Sequence, residues 1–263
     1  MAGRARFAFT VLAFGYAFLY LPIVLVVLYS FNDSRLVTVW AGFSTRWWAA
    51  LLANEAMLSA AWLSLRIALA SATVAAVIGL AAGYALARLP RFPGRTLFAS
   101  LVIAPMVMPE VVMGIAMLLL FVASERLLGG PERGLLTIAI AHVTFSIAFV
   151  AVVVQSRLAD FDRSLEEAAM DLGATPWTTF LTVTLPLIAP AVASGWLLAF
   201  TLSLDDLILT QFVAGAQTQT LPMLVYSKVR LGVDPQINVL GTVIVGVAAS
   251  ALAMSGWLTR RRP

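Results

Sequence analysis

What most constrains this chain is a series of long, largely uncharged apolar blocks. Hydrocarbon about 30 Å thick is crossed by about 20 helical residues. Runs of that length recur at approximately Phe7 to Phe31, Met57 to Ala87, Thr96 to Ala123, Leu135 to Val154, Leu187 to Val213 and Val239 to Leu258. Of the 263 residues, 61% are hydrophobic and 11% charged, against about a quarter charged in a soluble domain, so a water-soluble fold is excluded. The pattern predicts an all-α membrane protein of six transmembrane helices, arranged as one domain over residues 1–263. The first block has basic flanks, Arg4 and Arg6, but outruns the roughly 7–15 apolar residues of a signal peptide, and is read as a retained span.

The basic residues set an orientation, because they are kept near the inner ends of spans. Placing Arg4, Arg6, Arg88, Arg91, Arg95, Arg157, Arg163 and Arg260 to Arg262 inside puts both termini in the cytoplasm. Arg35, Arg46, Arg126, Arg133, Lys228 and Arg230 then fall outside, among the compensating acids Asp33, Glu55, Glu125, Glu132 and Asp234. A net charge of +4 scattered at block ends is topological and makes no nucleic-acid stripe. Cysteine is absent and His142 is the single histidine, so disulfides, thiolate metal sites and His-rich metal clusters are ruled out. Lys228, the only lysine, follows no glycine-rich loop, which excludes a phosphate-cradling ATP site. No cofactor or metal is expected.

The segment from Gln155 to Pro186 is the longest on the inner side and the acid-rich one, with Asp160, Asp162, Glu166, Glu167 and Asp171. Ser164 to Glu167 has the spacing of a capping box. Leu165, Ala168, Ala169 and Leu172 recur at helical spacing on one apolar face, and Gly173 suits the left-handed residue that ends a helix. Thr175 and Pro176 then form an N-cap and first-turn proline for a second short helix. Two short helices joined at a glycine make a docking surface for another protein. The alternative is an interfacial lipid-bound helix, though such helices favour basic polar faces.

These residues resemble a known pattern. Glu167-Ala168-Ala169, Gly173, and the closing Leu185-Pro186 resemble the EAA motif of binding-protein-dependent ABC importer permeases, with Val183 where isoleucine is usual. Ser30-Phe31-Asn32, Pro109-Glu110, His142 to Phe145 and Gly195 to Asp206 are similar to the polyamine branch, and Ser34 to Trp40 to its putrescine members. The resemblance implies a type I importer permease fold in the bacterial inner membrane and an uptake function for polyamines, putrescine first, with spermidine or another small solute as the alternative. It further implies a second permease subunit, two cytoplasmic ATPase subunits docked on coupling helices, and a periplasmic substrate-binding protein. Glu167, Ala168, Ala169, Leu172 and Gly173 become the coupling residues, and the chain itself is no enzyme. An ATP-independent secondary transporter or an intramembrane enzyme would leave the acidic loop without a purpose.

Ionisable groups within spans cost roughly 2.5–3.5 kcal/mol each at the helix centre, which makes them candidates for function. They are Arg66, Glu110, His142, Asp205 and Asp206, all in the outer half of the membrane at about 1.5 Å rise per residue. A diamine needs two carboxylates or aromatic faces. Glu110 with one of Asp205 and Asp206 supplies the acids, Asp206 first and Asp205 as the third candidate, since neighbours on a helix diverge by about 100°. Trp47 or Trp48 adds cation–π attraction or serves as an interfacial belt residue. An internal ion pair with Arg66 is the competing role for the acids, and His142 is expected to be a packing residue hydrogen-bonded near Thr144 and Ser146. Pro105, Pro109, Pro186 and Pro190 mark expected bends. Gly79 and Gly83, one turn apart, permit close helix approach.

Overall fold

The computed structural model describes residues 2–37, 39–89, 92–232 and 234–260. Arg91, Arg261 and Arg262, three of the basic residues used for orientation, lie outside them, as do the side chains of Arg4 and Arg260. Among the described residues the structure is helical, with a single isolated bridge between Asn32 and Phe43. The helices are α1 (Ala2–Tyr29), α2 (Arg46–Leu52), α3 (Glu55–Arg88), α4 (Arg95–Val107), α5 (Glu110–Leu128), α6 (Leu135–Ala159), α7 (Ser164–Asp171), α8 (Pro176–Thr179), α9 (Leu185–Leu204), α10 (Ile208–Val213), α11 (Leu221–Leu231) and α12 (Gln236–Arg260). Among the described residues five stretches are long and apolar enough to cross a membrane: Arg6–Tyr29, Glu55–Arg88, Glu110–Leu128, Leu135–Ala159 and Pro176–Leu204. Arg95–Val107 and Gln236–Ser250 are shorter apolar helices.

The chain forms two compact units. One comprises Met1–Ser59 with Leu224–Pro263, the other Ala60–Met223. In the first, α1 packs along α12, where Gly241 sits against Val26, and Asn54 Nδ2 donates to Gln236 Oε1 at 2.8 Å. Asn32 folds the following loop around itself: its Nδ2 donates to the Val39 carbonyl at 2.8 Å and its Oδ1 accepts from the Ala41 amide at 2.9 Å.

In the second unit α6 is central. Apolar side chains of α5 and α10 pack on its first half (Met113, Met117, Ile138, Leu209, Val213), and those of α3 and α9 on its second (Ala72, Ala75, Val150, Val154, Ile188). Gly79 and Gly83 let α3 lie directly on α6. A Cβ at Gly79 would stand 2.6 Å from Val150 Cβ, and one at Gly83 2.7 Å from the Ala151 carbonyl oxygen, so the small-residue pattern serves packing within the chain.

Two spans expected to be continuous are interrupted. The stretch Thr96 to Ala123 breaks between α4 and α5, where Met108 and Pro109 are extended at ψ 139° and 132°. Proline removes one backbone donor and biases the residue before it away from helix, and Glu110 becomes the first residue of α5. The stretch Leu187 to Val213 breaks after Leu204, at Asp205-Asp206-Leu207, with no proline or glycine present. This second break is held by side chains, described below. Between α8 and α9 there is no interruption of helical winding: Phe180–Thr184 forms one π-helical turn that joins them.

Candidate functional site

The segment between α6 and α9 is built from its own caps outward. The expected capping box does not form. Asp162 Oδ1 accepts from the Ser164 amide at 2.9 Å, and the Glu167 amide bonds the Arg163 carbonyl at 3.0 Å. An ionised acceptor two residues upstream starts the helix one residue early and leaves Ser164 inside it. Those hydrogen bonds from Ser164 hold the Asp162 carboxyl below the usual carboxylate range. At the other end Gly173 has φ +91°. Its amide bonds the Met170 carbonyl and that of Ala174 the Ala169 carbonyl, at 2.9 and 3.1 Å, the paired bonds of a Schellman termination. Thr175 Oγ1 then accepts from the Thr178 amide at 3.2 Å, with Pro176 in the first helical position.

This winding sends the two adjacent glutamates opposite ways. Glu166 is buried: its Oε1 accepts from the Thr184 hydroxyl at 2.6 Å, and its Oε2 lies 2.9 Å from Arg88 Nε. The Arg88 contact is Coulombic, too bent to satisfy the Nε–H as a hydrogen bond. Arg88 also lies over the Phe161 ring, and Arg163 donates to the Ala87 carbonyl at 2.9 Å. The end of α3, α7 and the π turn are thus clamped together. Glu167 points outward with Leu165 and Ala168, and Leu172 is 91% exposed. Ala169 is half-buried. The result is a firmly anchored helix that presents an apolar, acid-edged face. Glu166, Arg88 and Thr184 carry no motif spacing. The one sequence signal was an arginine ending a span opposite an acid-rich segment.

The intramembrane acids are equally divided. Asp205 ends α9 and is exposed, and among the described residues its carboxylate has no hydrogen bond or ion pair. Asp206 turns inward. Its Oδ2 accepts from the Thr210 amide at 2.7 Å and from the Thr210 hydroxyl, and its Oδ1 from the Leu209 amide at 3.3 Å, which caps α10. His142 Nε2 lies 3.2 Å from the same Oδ2 and 2.9 Å from Thr210 Oγ1, while Nδ1 lies 2.6 Å from Ser203 Oγ. An ionised carboxylate only accepts, so Nε2 carries the proton toward Asp206, and in the neutral imidazole Nδ1 then accepts from the Ser203 hydroxyl. His142 is therefore a hydrogen-bonded interior residue, but its partners lie on α9 and α10. Thr144 bonds its own helix at Ile140, and the Ser146 hydroxyl is buried without a partner.

Glu110, at the α4–α5 break, is exposed. Among the described residues no ion pair joins it to Arg66, which stacks over Trp62 at 5.4 Å. Glu110, Asp205 and Asp206 belong to the second unit, and Trp47 and Trp48 to the first. Trp48 stacks on Phe31 at 5.3 Å and Trp47 lies under Arg46 at 4.4 Å, so both faces already have aromatic or cationic company. Both indole N–H groups are buried without a partner.

An all-helical membrane fold with a capped helical pair inserted before one long span is the architecture of an importer permease. The chain belongs to the family of binding-protein-dependent transport system inner membrane components, whose pattern matches residues 75–261. It is therefore a multi-pass inner-membrane transport subunit of a system of several components, and ATP hydrolysis in such systems resides in a separate subunit. It is 54% identical to the putrescine transport system permease protein PotI of Escherichia coli strain K12 over 260 residues, 98% of this chain and 92% of that protein. It is 40% identical to the spermidine/putrescine transport system permease protein PotC of the same strain, over 93% of this chain and 90% of that one. The fold is shared with a bacterial ABC transporter involved in import of the acidic polysaccharide alginate (TM-score 0.72, 17% identity, 98% of this chain and 96% of that one). It is shared too with the inward-facing methionine transporter MetNI (TM-score 0.62, 18% identity, 78% and 94% covered).

Proposed function

We propose that this chain is one of two permease subunits of an ATP-driven importer for polyamines, with putrescine as the first substrate. The observation that carries the reading is the 54% identity to a putrescine permease along nearly the full length of both chains. Spermidine is the second reading, supported by the 40% identity to a permease named for both amines. Residues 1–263 act as one permease domain with both termini cytoplasmic and a coupling segment at about 155–186. Glu167, Ala168, Ala169, Leu172 and Gly173 form the surface that meets a cytoplasmic ATPase, an assignment supported by the outward face and glycine elbow of α7. A second permease completes the path, and a periplasmic binding protein delivers the substrate.

Glu110 and Asp205 are the carboxylates offered to the substrate. Both are exposed, both sit where a span is interrupted, and a dication is matched by two acids from different helices. Trp47 and Trp48, with Arg46 and Phe31 already on their rings, are not counted among the substrate contacts. The test is reconstitution with the partner subunits, measuring ATP hydrolysis with putrescine-loaded, spermidine-loaded and empty binding protein. Stimulation by putrescine is expected, and Glu110→Gln with Asp205→Asn should lower uptake while assembly persists. Stimulation by neither amine would overturn the substrate reading.

A further inference from the structure

The interruption after Leu204 is held in part by a residue of another helix, His142, 61 positions before Ser203. The segment Ser203 to Thr210 contains neither proline nor glycine, and the local contribution is the Asp206 cap on the Leu209 and Thr210 amides. What holds it is a closed polar cluster inside the second unit. Ser203 in the last turn of α9 bonds His142, His142 bonds Asp206 and Thr210, and Asp206 caps α10 through two amides and a hydroxyl. Ser203, His142 and Thr210 are at most 6% exposed. In such surroundings a polar group left without its partner costs the full desolvation of that group. The cluster is therefore all or nothing: breaking one contact strands the others.

Between its two ends stands Asp205. Ser203, two residues before it, and Asp206, immediately after it, are both tied down, so the cluster fixes the backbone on either side of it. Its own carboxylate is left on the exposed side. Were α9 to continue as regular helix through Asp206, the side chains of 205 to 210 would rotate by about 100° per residue about the axis, and Asp205 would take another heading.

We propose that His142, Asp206, Thr210 and Ser203 form a latch that positions Asp205 for the transported cation, and that Asp206 is a positioning residue with no contact to substrate. The proposal rests on the reading of Asp205 as a substrate carboxylate. It departs from the expectation that Asp206 itself meets the amine. A carboxylate already accepting from two amides, a hydroxyl and an imidazole has little capacity left for an ammonium group.

The chain is free of cysteine, which supplies a test independent of substrate. In the assembled transporter carrying Asp205→Cys, the labelling rate of the new thiol by a water-soluble thiosulfonate, read by mass spectrometry of this subunit, reports how position 205 is presented. Thr210→Val keeps side-chain shape and the Asp206 bond to the 210 amide while removing the hydroxyl, and Ser203→Ala removes the outer partner of His142. Each should change the labelling rate by about tenfold or more, the scale of one buried hydrogen bond left unmade, with subunit co-purification intact. Unchanged labelling in both, or loss of assembly in both, overturns the latch. With Asp205 in place, Thr210→Val should raise KM for putrescine uptake with Vmax kept, and add nothing in an Asp205→Asn background. Additive effects would mean that the cluster acts apart from Asp205 and would overturn the positioning role. If the unmodified transporter moves no polyamine, the substrate reading fails, and the labelling experiment still decides the latch.

Discussion

Two neighbouring glutamates, identical in chemistry, divide the labour of the α7 segment by direction. Glu166 closes on Arg88 and Thr184 with both charged side chains largely buried, whereas Glu167 faces outward. Removing one partner of a buried ion pair costs roughly 3–5 kcal/mol, because the other charge stays behind unpaired. Glu166→Gln is therefore expected to lower the thermal stability of the detergent-purified subunit. Glu167→Gln should leave it within about 0.5 kcal/mol of the parent, as for ordinary surface changes, while weakening co-purification with the ATPase. A melting curve and a pull-down on each variant separate these outcomes. Equal melting of both would mean that the clamp contributes nothing. The resemblance to the EAA motif singles out Glu167, but nothing in the sequence marks Glu166 as the buried partner, which the packing of α7 against α3 decides.

Among the elements, the long helices were legible because a bilayer admits few solutions: every backbone polar group must be satisfied within the span, so hydropathy and length nearly suffice. The interruptions were legible in proportion to how local their causes are. Pro105 and Pro109 announced a bend near Glu110, and the structure makes it a full break. The break at Asp205 was missed because its one local sign, Asp206 capping the Leu209 and Thr210 amides, lies within an apolar run, and the rest of its support comes from a histidine on another helix. The capping box was misplaced for a related reason, a stronger acceptor just outside the expected motif. Pro109→Ala restores a donor at the α4–α5 junction and favours continuous winding from Arg95 to Leu128. Glu110 should then turn away from the path, and uptake should fall by about as much as in Glu110→Gln. Thiol labelling at an introduced Glu110→Cys would show the shift directly, and an unchanged rate and unchanged uptake would mean that the break does not place Glu110.

For the whole molecule, the arginine distribution and the proposed docking surface make one joint demand: α7 and both termini must lie on the same side. Reporter fusions after Asp171 and at the carboxyl end should both read cytoplasmic, and a fusion after Arg126 should read periplasmic. A periplasmic signal after Asp171 would remove the topology and the ATPase surface together. Gly79 and Gly83 impose a further whole-molecule condition, because α3 lies so close to Val150 and Ala151 on α6 that no larger residue fits without displacing a helix.

The unbroken winding from Pro176 to Leu204 has a mechanical meaning. Its 29 residues make a rod about 44 Å long at about 1.5 Å per residue. One end begins beside the Gly173 elbow and the other stops at Asp205. Moved as one piece, such a rod is a rocker arm: a tilt of about 10° about its middle carries the two ends about 4 Å in opposite directions, and Pro186 and Pro190, each lacking a backbone donor, are the points where it would flex. Force applied by a partner at α7 would then arrive at Asp205 as displacement reversed in sense, less whatever bending the two prolines and the π turn absorb.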